Sequence, residues 1–331
     1  MNIWSPRPDP EAGEDAILPV QPTLAMEVGQ IHPVPFLVGL AESEGIWRAA
    51  NYLTQDDVMM DFLKNFETVA PLALGLKGQV AEDDMSEVLQ KIKKFYLHAL
   101  TDEKDMQKRL DSTVNGMIQM LGDSMFNYPV DRMVKLHGNK DYAPVWMYEF
   151  NYKHNHSLAN FDSANPGKVK KPEDNLKQLN RPTHAHELSM MAPAFEESMG
   201  PLSEDEEKQS IKFVKFIVDF AIKGVPTQDG KYEMKDWKPV ANGQLTHYIF
   251  GKYSATQMGL PFQHRMKWWN ALPVYWKKSL TSGKAKSVSG NEEADAEEVR
   301  RYAEVAEELS PEEIEEMNVI NIVEELHKDE L

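Results

Sequence analysis

No cysteine occurs anywhere in this sequence of 331 residues. Disulfides, thiolate metal sites and cysteine nucleophiles are therefore all excluded. Long apolar runs are missing too. A membrane-spanning helix needs about 20 apolar residues, and the best stretch, FVKFIVDFAI at 213–222, is interrupted by Lys215 and Asp219. Nor is there an excess of positive charge: 36 Lys/Arg stand against 53 Asp/Glu. A phosphate backbone requires a basic face that such a chain lacks, so nucleic acid is excluded as a partner. What is present, 41% apolar residues, suffices to bury a substantial core.

The charge of −17 is unevenly placed. Residues 292–331 hold 16 Asp/Glu and 3 Lys/Arg, a net of −13, and the body before them is nearly neutral. Between the two lies TSGKAKSVSGN, 281–291, whose small and basic residues read as a linker. The expected organisation is a body over 1–280, a linker over 281–291 and an acidic tail over 292–331. Within the tail, Ser310-Pro311-Glu312-Glu313 carries an N-cap, a proline at the first helical position and a capping glutamate. Ile314, Met317, Ile320, Val323 and Leu326 follow at three-residue spacing, the start of an amphipathic helix.

In the body, PVPFLVGL (33–40) is a nearly continuous apolar run ended by a polar cluster, and suits a buried parallel strand. VWMYEFNY (145–152), rich in aromatics, is a second strand. Two helices are expected between them, carried by Met85, Val88, Leu89, Ile92, Phe95, Tyr96 and Ala99, and by Leu110, Val114, Met117, Ile118 and Leu121. A long polar loop follows the second strand. After it, residues 206–226 read as a core-facing helix stopped at Gly224 with Pro226 behind it. Strands separated by helices indicate an α/β layered sheet, whose active groups collect beyond the strand C-termini.

Past the first strand stands Glu44; past the second, across the loop, stand His184 and His186. A carboxylate and a histidine on post-strand loops are two parts of a hydrolase triad, the histidine moving a proton and the carboxylate fixing its tautomer. HNH at 154–156 and HAH at 184–186 also bring four imidazoles into two short segments. Their spacing is unlike a zinc motif and histidines this close in loops are ordinarily solvated, so no metal is assigned. Asn155-His156-Ser157 is the one N-x-S/T sequon, making Asn155 a glycosylation candidate. Trp47, Trp146, Trp268, Trp269 and Trp276 are candidates for lining an apolar gorge, with core packing as the default.

The run VPFLVGLAESEG (34–45) resembles the type-B carboxylesterase and cholinesterase segment in which a strand presents the triad glutamate. LGDSMFNYPVDR (121–132), PVWMYEFNY (144–152), THAHEL (183–188), FAIKGVPT (220–227), DWKPV (236–240) and RMKWWNALP (265–273) are similar to family segments in the same order, and the resemblance covers roughly 15–276. It implies the C-terminal part of an α/β-hydrolase fold, a mostly parallel sheet flanked by helices. It implies serine-dependent hydrolysis of a small-molecule carboxylic ester without a cofactor, with Glu44 as the acid and His184 as the base. His186 stands where the family carries an acidic residue.

The family's Gly-x-Ser-x-Gly nucleophile elbow is absent; GDSMF at 122–126 ends in Phe126, and Ser124 reads as an ordinary helix residue. The chain also closes on Lys328, Asp329, Glu330 and Leu331, an address read by the retrieval receptor of the endoplasmic reticulum. Its opening, MNIWSPRPDPEAGEDAILPVQP, has no signal-peptide pattern. One expectation answers both absences: nucleophile and signal peptide belong to polypeptide N-terminal to these residues. The 331 residues alone are then inactive, lumenal in address and poorly soluble because sheet surface stays uncovered. The alternative is a non-catalytic lumenal binding or calcium-buffering protein derived from an esterase.

Overall fold

The computed structural model describes residues 31–53, 56–139, 143–154, 181–191, 201–228, 232–241 and 245–274, with residues 9, 12, 15–19 and 22–27 nearer the start. Asn155, Trp276, the linker, the acidic tail and Lys328 to Leu331 lie outside the described residues.

After the short helix α1 (Pro22–Glu27), strand β1 runs over Phe36–Ala41. Helices α2 (Ile46–Leu53), α3 (Asp56–Lys64), α4 (Phe66–Ala73), α5 (Glu82–Leu97), α6 (Ala99–Asp102), α7 (Met106–Gly122) and α8 (Tyr128–Asn139) follow, with a π-turn at Asp123–Asn127 joining α7 to α8. Strand β2 is Val145–Phe150; then come α9 (His186–Met191), α10 (Glu204–Lys223), the small strands β3 (Thr227–Gln228) and β4 (Tyr232–Glu233), strands β5 (Thr246–Phe250) and β6 (Ala255–Met258), and α11 (Gln263–Ala271). Seven described helices and a π-turn thus separate β1 from β2, where the periodicity predicts two. α2, α3, α4 and α6 are each nine residues or shorter, too brief for the 3.6-residue period to stand out.

The chain divides into two compact units. The first, 1–75 with 114–261, holds a sheet of order β1-β2-β5-β6. β1 pairs parallel with β2 from Phe36↔Val145 to Ala41↔Phe150, β2 pairs parallel with β5, and β6 returns antiparallel. All six residues of β2 are buried, as expected for a strand whose two faces are both covered, and only Glu149 interrupts its apolar and aromatic run. β5 and β6 are additions that the apolar runs do not signal.

α10 covers one face. It begins with a capping box: Ser203 N–H donates to Glu206 Oε2 at 2.8 Å, and Glu206 N–H donates to Ser203 Oγ at 3.4 Å. It ends at Gly224, whose φ of 68° is the left-handed cap that glycine adopts without a Cβ penalty. Its inner stripe, Phe213, Phe216 and Phe220, packs on Trp146, Tyr148, Phe150 and Phe250. Phe213 is wholly buried against Phe150 and Phe250, with centroids 5.2 and 4.9 Å away.

The second unit comprises 76–113 and the residues from 262 onward. Here α5 buries Val88, Leu89, Ile92, Tyr96 and Leu97. α11 is tied to it by the Trp269 indole N–H, which donates to the Tyr96 hydroxyl at 2.7 Å, and by Trp268 stacked on Phe95 at 4.1 Å. Trp146 and Trp269 are therefore core residues and Trp268 packs on α5.

Candidate active site

β1 ends at Ala41 and the next residues turn back on it. Glu44, 5% exposed, places Oε1 2.7 Å from the Ala41 N–H, which donates to it. The carboxylate is thereby fixed to the end of the strand that carries it. Two further contacts hold this turn. Ser43 N–H donates to Pro182 O at 2.9 Å, and Trp47 N–H donates to Thr183 Oγ1 at 3.0 Å. Gly45 lies so close to the 114–122 end of α7 that a Cβ there would fall 1.8 Å from Ile118 O and 2.5 Å from Gly122 N. Only glycine permits that approach.

The Pro182–Thr183 contacts bring the segment after β2 beside the end of β1. At its tip His184 presents Nδ1 to Glu44 Oε2 at 2.8 Å. Facing a carboxylate, Nδ1 carries the proton and Nε2, at the far corner of the ring, is left as the basic atom. Ala185 follows with φ of 59°, a left-handed conformation that is costly for a residue with a Cβ and is found where surrounding contacts enforce it. That single turn sends the two histidines apart. His184 remains half-exposed over Glu44, whereas His186 is 1% exposed and packs in the core, its ring 3.9 Å from that of His154 and 6.2 Å from Phe150.

The expectation of solvated loop histidines is thus corrected for His154 and His186: both are buried, and His154 Nε2 lies 3.1 Å from His186 O. A flanking buried phenylalanine and backbone carbonyl, not solvent, surround them.

Burial is the largest single influence on His184 and opposes its charge. The hydrogen bond and negative charge of Glu44, with Glu187 adding to them, outweigh it and raise the imidazole above its ordinary range. Burial likewise raises the Glu187 carboxyl, and Glu44 beside it pushes the same way. Glu187 Oε2 has no hydrogen-bond partner among the described residues. The carboxyl of Glu42, the neighbouring residue with which Glu44 could be confused, is raised by burial, an effect that the charges of Arg181 and Lys153 oppose.

Three features near His184 escape a sequence reading. Phe126 stacks on its ring at 4.3 Å, Trp47 stands at 5.3 Å, and the Ala41 N–H anchors its acid. Trp47 is legible only as one of several tryptophans, and Phe126 only as the residue that spoils GDSMF. Ser124 sits in the π-turn, buried, with its hydroxyl donating to Leu121 O at 3.3 Å.

The arrangement can orient an imidazole, stabilise its cation and leave Nε2 to exchange a proton. Comparison with known proteins agrees with the architecture. Juvenile hormone esterase of Tribolium castaneum is 30% identical over 151 residues, 45% of this chain and 25% of that protein. Venom carboxylesterase-6 of Apis mellifera is 26% identical over 147 residues, 44% and 25% of the two chains. Esterase E4 of Myzus persicae is 24% identical over 229 residues, 68% of this chain and 37% of that one. The chain therefore spans about a quarter to a little over a third of these relatives. The solved structure of juvenile hormone esterase from Manduca sexta, with OTFP covalently attached, superposes with a TM-score of 0.55 at 18% identity, covering 77% of this chain and 43% of that one. The fold is that of the α/β-hydrolase esterases, a mostly parallel sheet flanked by helices. Residues 3–269 match the carboxylesterase family, and the chain belongs to that family.

Proposed function

We propose that this chain supplies the base and the orienting acid of a serine carboxylic ester hydrolase. The observation that carries the reading is the 2.8 Å contact between His184 Nδ1 and a buried Glu44 that is itself anchored on β1. In the reaction a serine Oγ attacks the acyl carbon of a small-molecule ester while its proton passes to His184 Nε2. Glu44 stabilises the imidazolium through Nδ1. His184 then returns the proton to the departing alkoxide, and water, activated in the same way, releases the acid. No cofactor enters these steps.

The serine comes from outside these residues. No Gly-x-Ser-x-Gly occurs in the chain, and the Ser124 hydroxyl is engaged with Leu121. The 331 residues by themselves accordingly turn over no ester. Support comes from the family match and from the fraction of each relative that the chain spans. Residence in the endoplasmic reticulum lumen, through Lys328 to Leu331 and the retrieval receptor, belongs to the same proposal; removing those four residues is expected to release the protein to the medium.

The test uses the native protein, captured with an antibody to 310–326 and treated with a fluorophosphonate, which labels an activated serine. The expected result is a labelled species heavier than 37.8 kDa, with ester hydrolysis reduced about 10³-fold or more by His184→Ala. An unlabelled native species of 37.8 kDa overturns the catalytic reading and favours a non-catalytic lumenal protein.

A further inference from the structure

Among the described residues, two aromatic rings pack on the His184 imidazole. Phe126 lies nearly parallel to it, centroids 4.3 Å apart and planes 27° from alignment. Trp47 stands 5.3 Å from His184 and meets Phe126 edge-on at 6.2 Å, so the three rings close a triangle. Phe126 reaches this position through a departure from regular helix. The π-turn at Asp123–Asn127 adds one residue to a turn and re-aims the side chains that follow α7. It is pinned from within: Asp123, Ser124 and Asn127 are buried, and Asn127 Nδ2 donates to Asp123 Oδ1 at 2.6 Å.

A histidine's χ2 is a broad torsion with no deep well of its own. One hydrogen bond to Glu44 leaves the ring free to swing about that contact. A flat neighbour at stacking distance removes the freedom, and the negative face of a phenyl ring attracts a cation held above it. The charged groups around His184 are Glu44 and Glu187, both carboxyls, and neither constrains the ring plane as a stacked phenyl does.

We propose that Phe126 is a positioning residue for His184: its face holds the imidazole in the plane that keeps Nδ1 on Glu44, and it favours the imidazolium. The inference rests on the acid–base reading of the Glu44–His184 pair. In this view the π-turn serves the site, because a regular α-turn at 123–127 would point residue 126 elsewhere.

Proton NMR titration of His184 in the native protein tests it and needs no turnover. Phe126→Leu keeps an apolar side chain of similar bulk and removes the π face. Its His184 midpoint is expected about half a pH unit below wild type, with exchange broadening of the Nδ1–H resonance. Phe126→Tyr, which restores the face, is expected to titrate with wild type. Should Phe126→Leu not fold, Phe126→Met poses the same question with a more adaptable side chain. Titration indistinguishable from wild type in the folded aliphatic variant overturns the inference, whatever happens to its thermal midpoint. Glu44→Gln separates the two failures. If it leaves His184 unmoved, the acid–base reading fails; if it lowers the midpoint while the aliphatic variant does not, only the role of Phe126 fails.

Discussion

In Gly45→Ala the added methyl would lie 1.8 Å from Ile118 O and 2.5 Å from Gly122 N. Ordinary contact begins at 3.4 Å, so the carbonyl of α7 must withdraw by about 1.6 Å or the turn carrying Glu44 must move by as much. Neither is easy. The α7 segment beneath is packed, with Met117, Ile118, Met120 and Leu121 each 2% exposed or less, and the obstructing atoms are backbone, without rotamers to change. Overpacking ordinarily costs about 1–3 kcal/mol, and this case belongs at the top of that range, about 3 kcal/mol. At about 2–4 °C per kcal/mol for a domain of this size, the thermal midpoint is expected to fall by roughly 6–12 °C. Because Glu44 adjoins residue 45, the Nδ1–H resonance of His184 should weaken or disappear in the same variant. Circular dichroism melting and proton NMR read the two effects on one sample. A midpoint within about 2 °C of wild type, with the resonance intact, would refute the idea that contact with α7 holds Glu44 in place.

Four other substitutions have defined outcomes. Glu44→Gln keeps an acceptor for Ala41 N–H but turns an amide donor toward the Nδ1 proton; since the wild-type imidazole is raised in the folded state, its stabilising contribution is complete below the ordinary histidine range and lost as pH rises through the folded value. The variant should therefore lose more stability at pH 6 than at pH 9, by about 1 kcal/mol, discounted because the His184 side chain is 38% exposed; equal losses at both pH values would contradict it. Phe213→Ala empties a wholly buried site under α10 and is expected to cost about 3–5 kcal/mol by urea denaturation. Ser203→Ala removes the N-cap of α10 and Gly224→Ala forces a Cβ onto a φ of 68° with Pro35 Cγ at 3.1 Å; each should cost about 1 kcal/mol, and the double variant about their sum.

Much of the local structure was legible. The apolar run over 33–40 contains most of β1, the aromatic run from Val145 contains β2, and the amphipathic periods over Met85–Ala99, Leu110–Leu121 and 206–226 fall on α5, α7 and α10, except that Ala99 opens α6. Each pattern extends over enough consecutive residues for neighbouring side chains to define one face. β5 and β6 were not legible. THYIF alternates weakly and ATQM is polar and mostly exposed; β5 becomes a strand because β2 offers it an edge, and β6 because β5 does, a condition no local window contains.

The sequence by itself determined the chemistry available: no cysteine, no nucleophile elbow, a carboxylate after one strand and two histidines after the next. Tertiary structure decided which of them meet. Glu44 and His184 are 140 residues apart, and they touch because parallel pairing of β1 with β2 sets both strand ends at one side of the sheet. The choice between His184 and His186 fell to one left-handed residue, Ala185, and the stacking of Phe126 to one π-turn. Sequence periodicity records which face a residue presents within its own element; contacts across the chain depend on how elements pair and pack, and that is fixed only when the fold closes.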